Sequence, residues 1–508
     1  MKLEIMDTTL RDGEQTSGVS FTYSEKLTMA KQLLRDLKVD RLEIASARVS
    51  EGEYQGARKI FDWANANGFG EKIEILGFVD HGVSLNWIKD AGGQVINLLC
   101  KGSLKHCEKQ LRKTKEEHLT DIQANVKLAS ELGIAVNIYL EDWSNGMRES
   151  RDYVHFMVEG LKDTDVKRIL LPDTLGVQNH EEAYEACQYM VSNFPGVTFD
   201  YHAHNDYDLG AANVYGAIKA GIRGIHTTLN GLGERAGNVS LSSVIAIGKD
   251  HLGVELNIDE SKLYQVSKTV ESFSGIRIPH NKPIIGEHVF TQTAGIHADG
   301  DNKDKLYQTK LHPERFGRNY TYALGKLSGK ANIVKNLEEL GYAESLSNEE
   351  IKKVTQKVID LGDKKETVTK EDLPFIISDV LKSETIQEKV KVLNYALSVA
   401  HGLKSVASLK IAIEGNTYEH TASGDGQYDA FMNALRFIYK KELDKSFPLL
   451  KDYVVSIPPG GKTNALVVTS ITWENPENGN TLKTRGLDSD QTVAAIQATI
   501  KMLNITES

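Results

Sequence analysis

The sequence predicts an α/β protein whose first half closes as a (β/α)8 barrel, followed by a mixed, partly helical linker region and an α+β terminal domain with an internal βββα-type duplication. Three observations carry this: eight short β-rich runs separated by stretches of helical period, polar residues gathered at the ends of those runs, and a change of rhythm near residue 388.

The runs are LEIMD (3–7), RLEIA (41–45), IEILGFV (73–79), VINLL (95–99), AVNIYLE (135–141), RILLPD (168–173), FDYHAH (199–204) and GIHTTLN (224–230). Between them lie amphipathic stretches such as SEKLTMAKQLLRDL, KEEHLTDIQANVKLASEL and HEEAYEACQYMVSNF, each closed by a Gly, a Pro or a charged turn. Eight such repeats fit a closed barrel over residues 1–272 better than an open doubly wound sheet, which shares the alternation. Residues 273–330, including IRIPHNKPIIGEHVFTQTAGIHADGDNKDKLYQTK, lack periodicity and read as a connector. Residues 331–387 read as a small helical subdomain whose helices open on Ser or Thr caps. In residues 388–508 alternating strands return. There GNTYEHTASGDGQYDAFMNALRFI (415–438) and GNTLKTRGLDSDQTVAAIQATIKML (479–503) share Gly-Asn-Thr, a Gln and a helix. A duplicated βββα module with a pseudo-twofold axis is expected, with convergent strand-turn-helix units as the competing explanation.

Composition narrows the function. With 508 residues the chain exceeds one ordinary core, and 40% hydrophobic with 26% charged residues is the balance of a water-soluble protein. No stretch is long and apolar enough to span a bilayer. MKLEIMDTTLRDG shows neither an apolar signal core nor transit character, so a cytoplasmic location is expected. A net charge of -10 without a dominant basic block disfavours nucleic acid as a partner. Cys100, Cys107 and Cys187 are odd in number and lack paired ligand spacing, so they are expected to be reduced core residues.

Catalytic groups of a (β/α)8 barrel come from the carboxyl ends of its strands. Here those ends carry Thr9-Leu10-Arg11-Asp12-Gly13-Glu14, Glu141-Asp142, Asp173-Thr174, His202-Ala203-His204 and a loop from Gly231 to Asn238, with no such concentration expected at the strand starts. Side chains alternate along a strand, so His202 and His204 face one side and can share one ion. Asp12 and the amide oxygen of Asn238 would complete an open N/O shell for Mg, Mn, Zn or Co. Two hydrogen-bonded structural histidines would read the same way. The glycines from Gly231 to Gly237 are spaced G-x-G-x-x-x-G, which is a poor nucleotide fingerprint and a good turn.

Together TTLRDGEQ (8–15), LPDTLG (171–176), HAHNDYDLGAAN (202–213), NGLGERAGN (230–238) and TAGIHADG (293–300) resemble the 2-isopropylmalate, homocitrate and citramalate synthases, across nearly the whole chain. The resemblance implies metal-assisted Claisen condensation of acetyl-CoA with a short 2-oxo acid, then hydrolysis of the thioester. Asp12, His202 and His204 would hold the cation, with Asn238 in or near its shell. Arg11 would face the ketone oxygen, Thr174 would bind the substrate carboxylate, and Glu141 would orient the site from its edge. His297 and Tyr307 would enter the site of a neighbouring subunit, His297 for acid-base chemistry at the acetyl methyl group, which implies a homodimer.

Leu76, Leu99 and Tyr139 are the expected walls of the oxo-acid pocket. Isopropylmalate synthases usually carry a serine where this chain has Tyr139, whereas NIYLEDWSNG resembles citramalate synthases. Pyruvate is therefore favoured, with 2-oxoisovalerate as the alternative and a metal-dependent lyase of the same barrel group as a lesser one. A pure binding protein would have no reason to hold Arg11, Asp12 and the histidine pair together at strand ends. The terminal domain resembles the amino-acid-binding regulatory domain of these synthases. Tyr428, Asp429, Tyr453, Ile457 and Gln491 are expected to bind the effector, isoleucine under the pyruvate reading or leucine under the alternative.

Overall fold

In the computed structural model, residues 1–293, 306, 309–340, 346–363, 368–381, 389–456 and 467–507 are described. They form two compact units.

The first unit contains Met1–Phe290 and the described residues of 309–320. Its eight parallel strands are β1 (Glu4–Asp7), β2 (Arg41–Ser46), β3 (Ile73–Phe78), β4 (Val95–Lys101), β5 (Ala135–Glu141), β6 (Val166–Asp173), β7 (Phe199–Ala203) and β8 (Gly224–Thr227). β1 pairs with β8 from Glu4↔Gly224 to Asp7↔Thr227, which closes the barrel and excludes the open sheet. The expected run through Asn230 stops at Thr227, because Asn230 takes a left-handed φ of 61° inside a short turn at Leu229–Gly231.

Strand alternation sorts the side chains into two sets. Ile5, Leu42, Ile44, Ile75, Ile96, Leu98, Ile138, Ile169, Tyr201 and Ile225 join the large core together with residues of the surrounding helices. The intervening residues face the barrel interior, and many of them are polar. Asn97 donates to Glu43 (2.8 Å) and Asn137 donates to Asn97 (2.9 Å). Arg41 pairs with Glu74 (2.9 Å) and with Asp200, and Arg168 pairs with Glu4 and with Asp200 (3.3 Å). The strand starts are therefore not free of charge, contrary to the sequence expectation. Their charges neutralise one another inside the barrel, as buried ions must.

Helix Lys115–Leu132 shows how the sequence builds the outer ring. Thr114 and Glu117 form a reciprocal capping box at its start, and Gly133, at φ 72°, ends it. Cys100, Cys107 and Cys187 are buried and unbridged.

The second unit begins with strands Thr291–Gln292 and Thr321–Tyr322, which pair in parallel. Helices Lys330–Glu339, Asn348–Asp363 and Leu373–Leu381 follow, packed around Ile333, Leu337, Val354, Val358, Leu373 and Ile377. Ser347 and Thr369 bond reciprocally with Glu350 and Asp372 as expected, but Gly329 opens the first helix without a side-chain cap. Two βββα modules complete the unit. Antiparallel strands Val390–Ser398, Ser405–Ile413 and Asn416–Gly424 precede helix Gln427–Phe437, and Leu449–Ser456, Val467–Glu474 and Thr481–Asp488 precede helix Gln491–Thr506. They share one core through Leu409, Phe431, Trp473 and Met502. No helix among the described residues is long and apolar enough to cross a membrane.

Candidate active site

β1 and β7 deliver the central groups. Beyond Asp7 the chain turns so that the Arg11, Asp12 and Gly13 amides all donate to the Thr8 carbonyl, which fixes Arg11 and Asp12 at the barrel mouth. Asp12 Oδ2 lies 3.2 Å from His202 Nε2, and His202 Nε2 lies 3.3 Å from His204 Nε2. Ligand atoms of these three buried residues all fall within 4.8 Å of one another, the sole such group among the described residues. Asn238 joins them because its backbone bridges to His204.

The site fits a divalent cation. Asp12 Oδ1, His204 Nδ1 and Asn238 Oδ1 are buried without a hydrogen-bond partner, and such orphaned polar atoms, above all the two oxygens, are costly unless something binds there. Two facing imidazole nitrogens repel unless a proton or cation sits between them. Burial tends to push the Asp12 carboxyl up, but the Arg11 guanidinium, aided by His202 and His204, holds it well below the usual carboxylate range. Burial, reinforced by His202, lowers His204 to about 4, which keeps this imidazole neutral and able to ligate.

Arg11 is anchored from Nε to Glu43 at 2.6 Å and from Nη1 to Asp12 at 3.3 Å, and Nη2 reaches the Tyr139 hydroxyl at 3.5 Å. Tyr139 belongs to an interior apolar group with Met6, Leu76 and Leu170, against which Leu99 packs. The three expected pocket residues thus come together, and the structure adds Met6 and Leu170. Inward phase on β1 and β6 would have identified both.

Thr174 Oγ1 accepts from the Asp142 amide at 2.9 Å, which leaves its own proton to donate. Arg235 holds the same loop, with Nη2 on the Thr174 carbonyl at 2.8 Å and a two-point contact to Asp206 at 2.7 and 2.9 Å. Glu141 stands at the end of β5, ion-paired with Lys101, and is not part of the cation group. Lys101 lies two residues beyond the run VINLL, at the end of β4. His297 and Tyr307 lie outside the described residues, as does Ile457.

The loop from Gly231 to Asn238 explains its glycines. A Cβ on Gly233 would strike the Asn238 amide, and one on Gly237 would strike the Gly231 carbonyl. They serve close backbone approach around Asn238, which agrees with a turn rather than a nucleotide cradle.

The largest omission is His226 on β8. It is fully enclosed, with Nδ1 2.9 Å from the Tyr139 hydroxyl and 3.3 Å from His202 Nδ1, and with Nε2 3.2 Å from Asp200. Burial first, only partly offset by Asp200, lowers it to about 3. A Cβ on Gly224 would collide with Asp200, so the bare backbone there makes room for this carboxylate.

In the terminal domain, Tyr428 and Tyr453 approach with ring centroids 5.5 Å apart, and the Tyr428 hydroxyl meets Thr499 at 2.7 Å. Asp429 accepts from the Asp425 amide at 3.0 Å within the turn that starts its helix. Gln491 opens the second module's helix, beside Thr492, whose hydroxyl donates to Gln427 at 3.2 Å. The helix starts of the two modules therefore meet.

Comparison with known proteins agrees with this architecture. Family models match residues 2–270 (HMGL-like), 284–366 (homocitrate synthase post-HMGL domain-like) and 367–506 (LeuA allosteric, or dimerisation, domain). A putative (R)-citramalate synthase of Methanopyrus kandleri is 31% identical, covering 99% of this chain and 96% of its own. A probable 2-isopropylmalate synthase of the same organism is 32% identical over 99% and 98% of the two chains. The (R)-citramalate synthase of Methanocaldococcus jannaschii is 31% identical over 99% of each. Among solved structures, a hydroxymethylglutaryl-CoA lyase from Pseudomonas aeruginosa matches with a TM-score of 0.46 and 15% identity, covering 55% of this chain and 94% of its own. The chain therefore belongs to the HMGL-like family, as an acyltransferase of the citramalate and 2-isopropylmalate synthase type.

Proposed function

We propose that the chain condenses acetyl-CoA with pyruvate to give (R)-citramalate and free coenzyme A. One observation carries the choice of oxo acid. The Tyr139 ring packs with Met6, Leu76 and Leu170, with Leu99 against them, and is 3% exposed, so a bulky side chain stands on the expected wall and favours the smaller 2-oxo acid.

Asp12, His202 and His204 would hold a divalent cation, with Asn238 close by. That cation supplies a Lewis acid for the ketone and carboxylate oxygens of the substrate. Arg11, immobilised by Glu43, keeps N–H groups to donate to the oxygen that becomes an alkoxide. Thr174 donates its hydroxyl proton to the substrate carboxylate. Glu141, tied to Lys101, orients the rim of the site. The acetyl methyl carbon gives up a proton and bonds to the ketone carbon, and the new alkoxide takes a proton. Water then cleaves the thioester and releases the thiol. By the resemblance, His297 is assigned to proton movement at the methyl group and Tyr307 to the same catalytic set, under the reading of a homodimer whose second copy supplies them. The dimerisation-domain match supports that assembly. Tyr428, Asp429, Tyr453, Ile457 and Gln491 are assigned to an amino-acid effector, isoleucine under this reading.

Thiol release from acetyl-CoA, with pyruvate and 2-oxoisovalerate compared and EDTA controls, tests the proposal. Pyruvate-dependent, EDTA-sensitive turnover supports it. Preference for 2-oxoisovalerate would make the chain a 2-isopropylmalate synthase with leucine as the expected effector, and would show that Tyr139 does not limit the pocket.

A further inference from the structure

We propose that His226, held by Asp200, is a positioning residue that sets which ring nitrogen of His202 faces the cation site and where the Tyr139 hydroxyl points. The cation part rests on the reading of Asp12, His202 and His204 as ligands.

The argument is one of proton placement. Asp200 is paired with Arg41 through one oxygen and with Arg168 through the other, at 3.3 Å, so it is a carboxylate and can only accept. His226 Nε2, 3.2 Å from Asp200, must then carry the proton, which leaves Nδ1 as a bare acceptor. Two donors share its one lone pair, the nearer one holding the larger part. The Tyr139 hydroxyl is 2.9 Å away and His202 Nδ1 is 3.3 Å away. A neutral His202 that donates from Nδ1 has its lone pair on Nε2, the nitrogen that faces Asp12 and His204. The chain from Arg41 and Arg168 through Asp200 and His226 thus selects the His202 tautomer able to ligate, the arrangement by which outer partners orient metal-binding histidines. The same Nδ1 receives the Tyr139 hydroxyl, so one side chain touches both the ligand histidine and the ring of the expected pocket wall.

The readout is Mn2+ binding to the substrate-free full-length protein, by calorimetry or by the electron paramagnetic resonance of free Mn2+. Exchanging His226→Leu is expected to weaken binding about 10–100-fold. His226→Gln, whose amide nitrogen can donate to Asp200 while its oxygen accepts from His202, should restore most of the loss. Tyr139→Phe should stay within about twofold of the unaltered protein, because it removes the other donor. Unchanged Mn2+ affinity in folded His226→Leu would overturn the proposal, as would an equal loss in Tyr139→Phe. If the leucine variant does not fold, nitrogen-15 spectra of the unaltered, histidine-labelled protein decide instead. His226 protonated at Nε2 and His202 at Nδ1 support the proposal, and the opposite tautomers overturn it. Absence of Mn2+ binding by the unaltered protein would overturn the ligand reading of the site, while the spectra still judge the proton chain on their own.

Discussion

Replacing Tyr139 by serine removes a ring that is 3% exposed, packs with Met6, Leu76 and Leu170, and hydrogen-bonds to His226 at 2.9 Å. Two effects follow, of different size and kind. Truncating a buried aromatic side chain costs about 3–5 kcal/mol of stability, so Tm should fall by several degrees or more. The vacated volume also lies where the substrate side chain would sit. 2-Oxoisovalerate exceeds pyruvate by two methyl groups, each worth about 1–3 kcal/mol in a fitted pocket. The ratio of kcat/KM for 2-oxoisovalerate to that for pyruvate should therefore rise by about 30-fold or more, since every 1.4 kcal/mol is about tenfold. Thiol release with both oxo acids measures the ratio, and a circular-dichroism melt establishes that the variant is folded. Tyr139→Phe keeps the ring and should keep the preference for pyruvate. A folded Tyr139→Ser protein whose ratio moves by less than about threefold would refute the pocket assignment.

Three further outcomes are expected. Mn2+ at a hundredfold excess over its Kd should stabilise the protein by about 2.7 kcal/mol. Asp12→Asn should abolish both this gain and thiol release, and a persistent thermal shift would contradict Asp12 as a ligand. Burial, aided by Lys113, lowers His118 from 6.5 to about 4, and its Nε2 accepts from the Lys101 amide at 3.0 Å. The unfolded chain takes up this proton first as pH falls. The contribution is thus complete above about pH 6.5 and lost by about pH 4, a change on the order of 3 kcal/mol. Urea midpoints at pH 7.5 and 5 should fall more steeply for the unaltered protein than for His118→Gln, and parallel slopes would disprove the assignment. Gly224→Ala should cost about 2 kcal/mol or more by pushing Asp200 off Arg41 and His226, and a Tm within a degree of the unaltered value would show that the barrel absorbs the methyl group.

The parts of this molecule legible in its sequence are those set by local periodicity. All eight barrel strands lie where β-rich runs alternate with capped helices, and the two βββα modules lie where Gly-Asn-Thr recurs. The candidate cation group is legible for the same reason. His202 and His204 share a face because the period of a strand is two, and Asp12 follows directly on a strand end. Leu76, Leu99 and Tyr139 followed from the same inward phase at the carboxyl ends of their strands.

Other features depend on which residues the closed barrel stacks in one layer. Met6 and Leu170 join the apolar group around Tyr139. Asp200 joins Arg41 to Arg168, and His226 touches both Tyr139 and His202, across sequence separations of 24 to 159 residues. The period of a strand tells whether a side chain points inward. It does not tell the height of that side chain in the barrel or its partner across it, because those follow from the stagger of eight paired strands. The sequence therefore specified the elements, the inward faces and the candidate ligand set from short-range sterics and hydrophobic alternation. His226 meets His202 and Asp200 through the register of neighbouring β7 and β8. The contacts across the barrel, Arg41 with Asp200, Arg168 with Glu4 and Tyr139 with His226, exist only because pairing of β1 with β8 curls the sheet shut and brings distant strands face to face.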